Sequence, residues 1–318
     1  MAQHKNTTSI NENNPDKEFC LSLNDLAELF GQDPKVTLKE LQKLCGPQRT
    51  VNHILPATVR KFIYAKGLRF SQQVVSFQML KGGVAKTTSA LNFGWRAAMY
   101  GARVLFIDLD QQANLTFALG VEDDSLPVWI DIVEKKVSIA QARRQLASGV
   151  DLIPSSLNNS VLDRVLLNGN RNWAQAVNGP VKELKAQYDL IIIDTAPNLS
   201  AINTAVTCAS DLIVLPINPD KFSLLGVRKH LADLTEIKKD FDLEFDSRIL
   251  FTRFDGRESA SKEILGQCIA EFEEILLKNY VRTSTDIKTH VGGGRSIFSN
   301  KSNAKEDYDL VTKELLGL

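Results

Sequence analysis

The segment Lys81–Thr88 carries glycines, lysines and threonine hydroxyls at a spacing that suits phosphate binding. Its sequence is KGGVAKTT, and it lies between an apolar run over 73–78 and a helical pattern over 87–100. Glycines let backbone N–H groups converge on phosphate oxygens, and the N-terminus of the following helix adds the positive end of its dipole. Lys86 would neutralise phosphate charge, and Thr87 would offer its hydroxyl to Mg²⁺. Taken alone, such a loop could also be a glycine-containing turn with an incidental lysine.

Aspartates mark the ends of two later apolar runs. Asp108 and Asp110 close the run 102–108, and Asp194 closes the run 188–194. In an open parallel sheet, ligands bind at the carboxyl ends of the strands. Asp194 would hold Mg²⁺ through water there. Each aspartate separately would suit a turn or a helix cap, but together with the loop they predict a site for a Mg²⁺–nucleotide complex.

Short apolar runs rich in Val, Ile and Leu alternate with helical patterns through most of the chain. The runs are 73–78, 102–108, 150–155, 188–194, 210–216 and 247–252. Helical stretches such as 222–239 and 258–277 separate them. This alternation predicts an α/β fold, with a doubly wound, mostly parallel sheet of the P-loop NTPase type.

The N-terminal part lacks this alternation of apolar runs and helical patterns. It is therefore predicted to be organised separately from the rest of the chain. We expect a disordered tail over 1–19, a small helical domain over 20–70 and an ATPase domain over 71–318. Within the small domain, three helices are expected over 21–30, 37–44 and 57–65, with Ser22 as N-cap and Gly31 as stop of the first.

Composition excludes several classes of protein. The formal net charge is zero, and the four cysteines form no CxxC pair, so we expect no zinc or iron–sulfur site. The polar first residues do not suit a signal peptide, and no apolar run approaches the ~20 residues of a membrane span. A soluble, intracellular protein is expected.

Four blocks resemble the ParA/MinD group of deviant Walker ATPases. They are KGGVAKTTSALNFGWRAAMYGARVLFIDLDQQANLTFALG (81–120), YDLIIIDTAPNLSAINTAVTCASDLIVLPINPDKFSLLGV (188–227), ILFTRFDGRESAS (249–261) and VGGGRSIFSNKSNAKEDYDLVTKELL (291–316). They occur in the family's order, and the resemblance covers about residues 72–317. It implies ATP and Mg²⁺ as cofactors, weak intrinsic ATP hydrolysis, and a homodimer that sandwiches two ATP molecules.

The resemblance also implies roles for individual residues. Lys81 matches the signature lysine that crosses the dimer interface to the partner's phosphates, and Asp110 matches the residue that orients the attacking water. Asp108 matches a switch aspartate near Mg²⁺. The implied catalytic residues are Lys81, Lys86 and Asp110, and the implied metal residues are Thr87, Asp108 and Asp194. The implied ATP-binding residues are Lys81, Gly82, Gly83, Val84, Ala85, Lys86, Thr87, Thr88, Asn218, Pro219, Thr252 and Arg253, the last four near the adenine.

Three positions depart from the family pattern. Ala85 stands where glycine is usual, Gln111 replaces the proline of DLDPQ, and Ala196 replaces the first proline of DTPPSLG. If position 85 needs a positive φ, alanine costs on the order of 1 kcal/mol there. We expect intact ATP binding with slow hydrolysis.

The choice within the family depends on what the dimer contacts. The C-terminal segment ends KELLGL without a cationic face, so no membrane binding is expected. Residues 278–305 contain six Lys/Arg and one acid, which favours non-specific DNA binding over a merely solvated basic face. Arg257 matches a family arginine implicated in DNA contact, and we add Lys288 and Arg295 as candidate DNA-binding residues.

Residues 20–70 resemble the helix-turn-helix region that larger plasmid-type ParA proteins carry. Residues 35–69 contain eight Lys/Arg and one acid, so binding of operator DNA is possible through this region, with a small dimerisation domain as the alternative. The predicted function is DNA partition by a cytoplasmic, nucleoid-associated ATPase that a ParB-type partner stimulates. Positioning of a protein cargo and autoregulatory repression are the alternatives.

Overall fold

The computed structural model describes residues 15–46, 53–168, 173–287, 296–299 and 301–318. Within them, seven strands form one sheet in the order β3-β4-β2-β5-β1-β6-β7. The strands are β1 Gln73–Phe77, β2 Val104–Asp108, β3 Arg144–Ala147, β4 Val150–Ile153, β5 Leu190–Asp194, β6 Leu212–Ile217 and β7 Asp246–Phe251. Every neighbouring pair is parallel except β3–β4, which is antiparallel.

Helices cover both faces of this sheet. They are α1 Leu23–Leu29, α2 Pro34–Cys45, α3 Pro56–Ala65, α4 Lys86–Met99, α5 Asn114–Ala118, α6 Trp129–Val133, α7 Ile139–Ala142, α8 Leu162–Asn168, α9 Trp173–Lys185, α10 Ala201–Ala209, α11 Lys221–Asp240, α12 Ser259–Phe272 and α13 Asn303–Leu316. Short 3₁₀ helices span Pro15–Phe19, Leu157–Val161 and Ile297–Ser299. In the described part of the chain, no helix combines the length and apolarity needed to cross a bilayer.

Successive residues of β1 show why both faces are covered. Val74 belongs to the core beneath α8, α9 and α10, whereas Val75 and Phe77 belong to the core beneath α4. A strand whose side chains are buried on both faces has a continuous apolar sequence. The predicted doubly wound, mostly parallel sheet is therefore confirmed.

The sequence analysis missed one strand and misplaced several element ends. The edge strand β3 has the sequence RQLA, in which polar and apolar residues do not alternate clearly. Only two of its residues are buried. The helix expected over 258–277 ends at Phe272, and the one expected over 37–44 begins at Pro34. Pro34 fits the first turn because its missing N–H needs no partner there, while Asp33 caps the helix from its side chain.

Helix α4 packs unusually close to the sheet at one point. A Cβ atom on Gly94 would lie 2.4 Å from side-chain atoms of Ile192 and Phe106. Only glycine fits at this distance, so Gly94 sets the depth at which α4 lies on the sheet. The N-terminus of α4 is thereby held against the ends of the central strands.

The N-terminal helices share the core of the ATPase region. Leu26, Phe62 and Ile63 lie in one apolar cluster with residues of β1 and α4. Ser22 accepts a hydrogen bond from the N–H of Asp25 and so caps α1 as expected, and Gly31 has a φ of +58° just beyond its end. Whether residues 20–70 fold as a domain by themselves stays a prediction.

A buried arginine joins the N-terminal helices to both α4 and the C-terminal helix. Arg96, 1% exposed, places Nε 2.6 Å from Asp309 and Nη1 3.1 Å from Asp25. The Tyr100 hydroxyl donates to the same Asp309 carboxylate at 2.6 Å. Since a buried charge is tolerated only when it is paired, α1, α4 and α13 are fixed relative to one another.

The prediction of a disordered tail over 1–19 is wrong for its last five residues. Pro15–Phe19 form a 3₁₀ helix, and Phe19 is fully buried with its ring stacked 4.7 Å from that of Trp95. Trp95 Nε1 also donates to the carbonyl of Glu18 at 3.1 Å. Residues 1–14 lie outside the described residues.

Replacing Phe19 tests this attachment. We expect Phe19→Ala to lower the free energy of unfolding by about 3 kcal/mol, because it removes a buried aromatic side chain and leaves a cavity against Trp95. Urea denaturation at equilibrium measures the change. Lys17→Ala, at an exposed position of the same turn, should change it by less than about 0.5 kcal/mol. Equal effects of the two substitutions would contradict the docking of this segment.

Candidate functional site

Three neighbouring strands bring the predicted site together at one edge of the sheet. In the register of the sheet, Asp108 of β2 pairs with Asp194 of β5, and Asp194 pairs with Phe77 of β1. All three strands run in the same direction, so their carboxyl ends meet. The loop that follows β1 therefore begins beside both aspartates.

The loop after β1 turns directly into α4, as the sequence predicts. Lys86 is the first residue of the helix, and Ala85 is its N-cap with φ +71° and ψ +28°. Gly83 also has a positive φ, of +72°. The left-handed conformation at Ala85 is the one that favours glycine, so the strain expected from this departure is present. The free N–H groups at the N-terminus of α4 face the loop, which suits an anion.

Lys86 and Asp194 form the electrostatic centre of the site. Lys86 is 6% exposed and Asp194 is fully buried. Burial raises the pKa of the Asp194 carboxyl well above its usual range, and the Asp108 charge raises it further, while Thr87 and Lys86 oppose the shift. Burial likewise lowers the pKa of the Lys86 ammonium, against the attraction of Asp194 and Asp110. Each charge thus depends on a counter-charge in the same site.

The second aspartate is held from the neighbouring loop. Thr116 donates to Asp108 Oδ2 from its backbone N–H at 2.9 Å and from its hydroxyl at 2.7 Å. The N–H of Asp110 donates to Asp108 Oδ1 at 3.1 Å. Burial raises the pKa of Asp108 to about 7 in spite of these bonds. Asp110 itself is 7% exposed and accepts a hydrogen bond from the N–H of Gln112.

The donor set at this edge fits a divalent cation of the Mg²⁺ type. Both carboxylate oxygens of Asp194 are buried and accept no well-formed hydrogen bond from the described residues, although Thr87 lies close enough to lower the pKa. A buried carboxylate without full hydrogen bonding is costly unless a cation compensates it. Thr87 and Asp194 supply the hard oxygen atoms that Mg²⁺ prefers. Asp108 already accepts a hydrogen bond from the Thr116 hydroxyl, so its carboxylate would lie next to the cation.

Lys81 lies apart from the other lysine of the loop. Its Nζ is 2.7 Å from both carboxylate oxygens of Asp220 and 3.2 Å from Ser223 Oγ. Asp220 is also the N-cap of α11, since it accepts from the N–H of Ser223. Lys81 is therefore directed away from its own phosphate loop and toward α11. The Lys81 side chain keeps about a third of its surface, 35%, exposed.

Two of the four residues expected near the adenine, Asn218 and Thr252, contact the loop. Asn218 Nδ2 donates to the carbonyl of Gly83 at 3.2 Å, and the Thr252 hydroxyl donates to Asn218 Oδ1 at 3.0 Å. Pro219 follows Asn218 and is half-buried, and Arg253 is exposed with a φ of +54°. These contacts fix the ends of β6 and β7 against the phosphate loop. They leave the assignment to adenine as a prediction.

The candidate DNA-binding residues do not all fall within the described part of the chain. Arg257 is 89% exposed and pairs with Asp255 at 2.6 Å. Lys288 and Arg295 lie outside the described residues. Part of the basic run over 278–305 is neutralised within the fold, because Arg282 pairs with Asp307 and Lys305 pairs with Asp25.

Sequence reasoning missed two residues that organise the site. Asp220 holds Lys81, and Thr116 holds Asp108. Asp220 had a detectable signal, because an aspartate directly before an amphipathic pattern predicts a helix N-cap. Thr116 had none, since its role depends on the loop that brings α5 back to the end of β2.

Comparison with known proteins places this geometry among characterised families. A family model described as an AAA domain matches residues 72–247, more than half of the chain. The cell division protein PomZ of Myxococcus xanthus is 28% identical over 294 residues, covering 91% of this chain and 90% of that protein. A ParA family protein of Chlamydia muridarum is 30% identical over 255 residues, covering 77% of this chain and 98% of that protein.

Solved structures share the same fold. The ATP complex of a McdA variant from Cyanothece superposes with a TM-score of 0.71 at 24% identity, over 78% of this chain and 98% of that chain. The AAA model leaves residues 1–71 and 248–318 unmatched.

The strained N-cap leads to a direct test. We expect Ala85→Gly to raise ATP affinity or turnover by up to about fivefold, because phosphates bind the loop with a positive φ here and glycine removes a cost of about 1 kcal/mol. Equilibrium nucleotide titration and steady-state phosphate release measure the two quantities.

Lys135→Gly is the matched control for this substitution. Lys135 also has a positive φ, of +60°, but lies after α6 and away from the site. It should leave nucleotide affinity and turnover unchanged. If Ala85→Gly also leaves both unchanged, strain at the loop does not limit this protein.

Proposed function

The chain belongs to the ParA family of AAA-domain ATPases, and from this we propose that it is an ATP-driven switch that partitions DNA. The observation that carries the proposal is the meeting of Lys86, Asp194 and Asp110 beside the N-terminus of α4. ATP is the substrate and Mg²⁺ the cofactor that this donor set suits.

The residues of one protomer would bind and orient the phosphates. Backbone N–H groups of the loop and of the first turn of α4 donate to the phosphate oxygens, and Lys86 neutralises their charge. Mg²⁺, when bound between Thr87, Asp194 and the nucleotide, would neutralise charge that develops on the phosphates. Asp110, at the end of β2, holds the attacking water and accepts its proton.

The second protomer would complete the site through Lys81. For this, Lys81 must leave Asp220 and Ser223, which hold it within its own chain in this structure. Large apolar side chains stand exposed near this position: Phe222 at 79% and Leu225 at 61% on α11, and Leu199 at 58% after β5. Exposed apolar patches of this kind mark protein interfaces. They support a homodimer that buries this face when ATP is bound.

Binding of the dimer to DNA would be non-specific and salt-dependent. Arg257 is exposed next to the end of β7, and Lys288 and Arg295 follow in a basic stretch of the sequence. Lysines and arginines that contact backbone phosphates give affinity without sequence preference. A ParB-type centromere-binding partner would stimulate the slow hydrolysis and release the dimer, so the protein would be cytoplasmic and associated with the nucleoid.

The N-terminal helices could contribute a second, sequence-specific contact. Helices α1 and α2 are joined by the short turn at Gly31, and Lys35, Lys39 and Lys43 are exposed along α2. A helix that presents lysines to solvent after such a turn could enter a major groove. Footprinting on DNA upstream of its own gene, with ADP present, distinguishes operator binding from a purely structural role.

A second candidate function is positioning of a protein cargo. PomZ, which matches 91% of this chain, is named a cell division protein rather than a plasmid protein. Cargo positioning would use the same ATP cycle with a different partner. A neighbouring gene for a ParB-type protein with centromere repeats favours partition, and a cargo gene without repeats favours positioning.

Localisation of a fluorescent fusion tests the switch. We expect the wild type to move dynamically over the nucleoid, whereas Asp110→Ala coats the DNA uniformly, because loss of the water-orienting carboxylate traps the ATP dimer. Identical diffuse patterns of the two proteins would overturn the proposal.

A second substitution separates trapping by dimerisation from simple retention on DNA. Phe222→Asp places a charge on the exposed apolar face of α11, so the double variant Asp110→Ala, Phe222→Asp should become diffuse. Glu236→Gln, also exposed on α11 but four turns further along, should leave the trapped pattern of Asp110→Ala unchanged.

DNA binding has its own prediction. We expect Arg257→Glu combined with Arg295→Glu to reduce ATP-dependent retention on DNA by about tenfold or more and to lower the salt dependence of binding, since phosphate contacts are lost. Arg228→Glu is the control, because Arg228 is another exposed arginine in an ion pair, with Glu271 at 2.6 Å. Unchanged retention in the double variant would contradict the assignment.

A further inference from the structure

A cavity lies on the opposite side of the β1–β6 strand ends from α4. It has a volume of about 400 Å³ and lies between α10 and α11, with Asp163 of α8 and Trp173 of α9 at its edge. This volume is within the range of small-molecule sites. The loop Asn198–Ser200, which follows Asp194, forms its rim.

His230 is a deeply buried titratable group of the cavity wall. It is 6% exposed, and neither ring nitrogen has a hydrogen-bond partner among the described residues. Burial lowers the pKa of His230 to about 4, so the ring is neutral near pH 7 and one nitrogen is a free acceptor. Buried polar groups are normally satisfied, and one that is not calls for a partner.

Three further side chains of the wall present acceptor oxygens, beside hydroxyl and amide groups such as Thr207 and Gln78. Asp233 lies one turn after His230 on α11, and its Oδ2 is buried without a partner among the described residues. Asn203 Oδ1 is likewise buried without a hydrogen-bond partner among the described residues. Asp163 accepts one hydrogen bond, from the N–H of Ile202. Among the described residues, neither lysine nor arginine lines the cavity. The described part of the wall therefore offers negative charge and acceptor atoms, and the nearby cation that acts on His230 is Lys86 of the phosphate loop.

The rest of the wall is apolar. Leu234 and Ile237 extend the same face of α11, and Trp173 and the exposed Leu199 close the opposite side. An apolar body with a cationic tip would satisfy both parts of this surface. Trp173 adds an aromatic face that attracts a cation.

We propose that this cavity binds a guanidinium or primary ammonium group on a short aliphatic stem, with Asp233 and His230 accepting hydrogen bonds from its N–H groups. Asp163 contributes charge at the edge, and Leu234 and Trp173 contact the stem.

The cavity also adjoins the nucleotide loop. Gln78, which lines it, precedes the phosphate loop by three residues and accepts a hydrogen bond from Thr207 of α10. The cavity wall therefore includes both this residue and the loop after Asp194. Binding itself needs neither ATP nor a second protomer, so the proposal can fail or hold independently of the partition function.

The three tryptophans of the chain make the site observable. The full-length, nucleotide-free protein is labelled with fluorotryptophan and titrated with n-butylguanidinium chloride, up to about 20 mM as suits a ligand of few atoms. Fluorine NMR should show a saturable shift of the Trp173 resonance alone, because Trp173 lines the cavity, whereas Trp95 and Trp129 are not among its described lining residues. Trp173→Phe assigns the resonance. Absence of a saturable shift at Trp173 overturns the proposal.

Two comparisons test the chemistry of the ligand. Asp233→Asn should weaken binding by about tenfold, whereas Asp240→Asn, the same change at an exposed position of α11, should leave it unchanged. Unshifted Trp95 and Trp129 resonances establish that Asp233→Asn is folded. n-Butanol, the neutral counterpart, should bind about tenfold more weakly than the cation. Equal binding by Asp233→Asn, or equal binding of n-butanol, overturns the proposal.

A last comparison identifies the source of the cation. N-acetyl-arginine N-methylamide carries the same guanidinium stem on a peptide backbone. Tighter binding of this probe than of n-butylguanidinium supports the arginine side chain of a partner protein as the occupant. Tighter binding of n-butylguanidinium supports a free small molecule.

Discussion

The buried charges at the ends of β2 and β5 are the constraint on which the rest of this structure depends. Asp108 and Asp194 are adjacent in the sheet and fully buried, and Lys86 is nearly so. Two carboxylates in such surroundings repel each other and resist ionisation. They are tolerated because a lysine, a helix N-terminus and hydrogen bonds from Thr116 converge on them, and because the site can take up a divalent cation with a polyphosphate.

That convergence requires α4 to be held in place along its whole length. Gly94 lets the helix lie directly on the sheet, and beyond it Arg96 pairs with Asp25 of α1 and Asp309 of α13. The N-terminal helices are consequently not an appendage connected only by a linker. They pack against the C-terminal part of α4, and the N-terminus of α4 faces the phosphate loop. A contact made with the N-terminal helices could therefore affect the phosphate loop through α4.

Lys81 stands between two arrangements that exclude each other. Within the single chain it neutralises Asp220, and as the family's signature lysine it would neutralise phosphates in a second protomer. The pair with Asp220 is partly exposed, so it contributes little stability and can be exchanged for another anion. Association would then depend on what surrounds Lys81, chiefly the exposed apolar side chains of α11 and the loop after β5.

Much of this could be predicted from sequence because it is local. Strands buried on both faces have continuous apolar runs, a loop with KGGVAKTT between strand and helix has few other uses, and Ser22 caps a helix that begins at the next residue. The positive φ of Ala85 also follows from its place in that loop. The features decided by tertiary structure join residues far apart in the chain: Phe19 with Trp95, Asp220 with Lys81, and His230 and Asp233 with the loop after β5. A residue's local pattern gives its secondary structure and exposure, but which distant charge or ring it meets depends on the order of the strands and the depth of helix packing, and no local pattern encodes these.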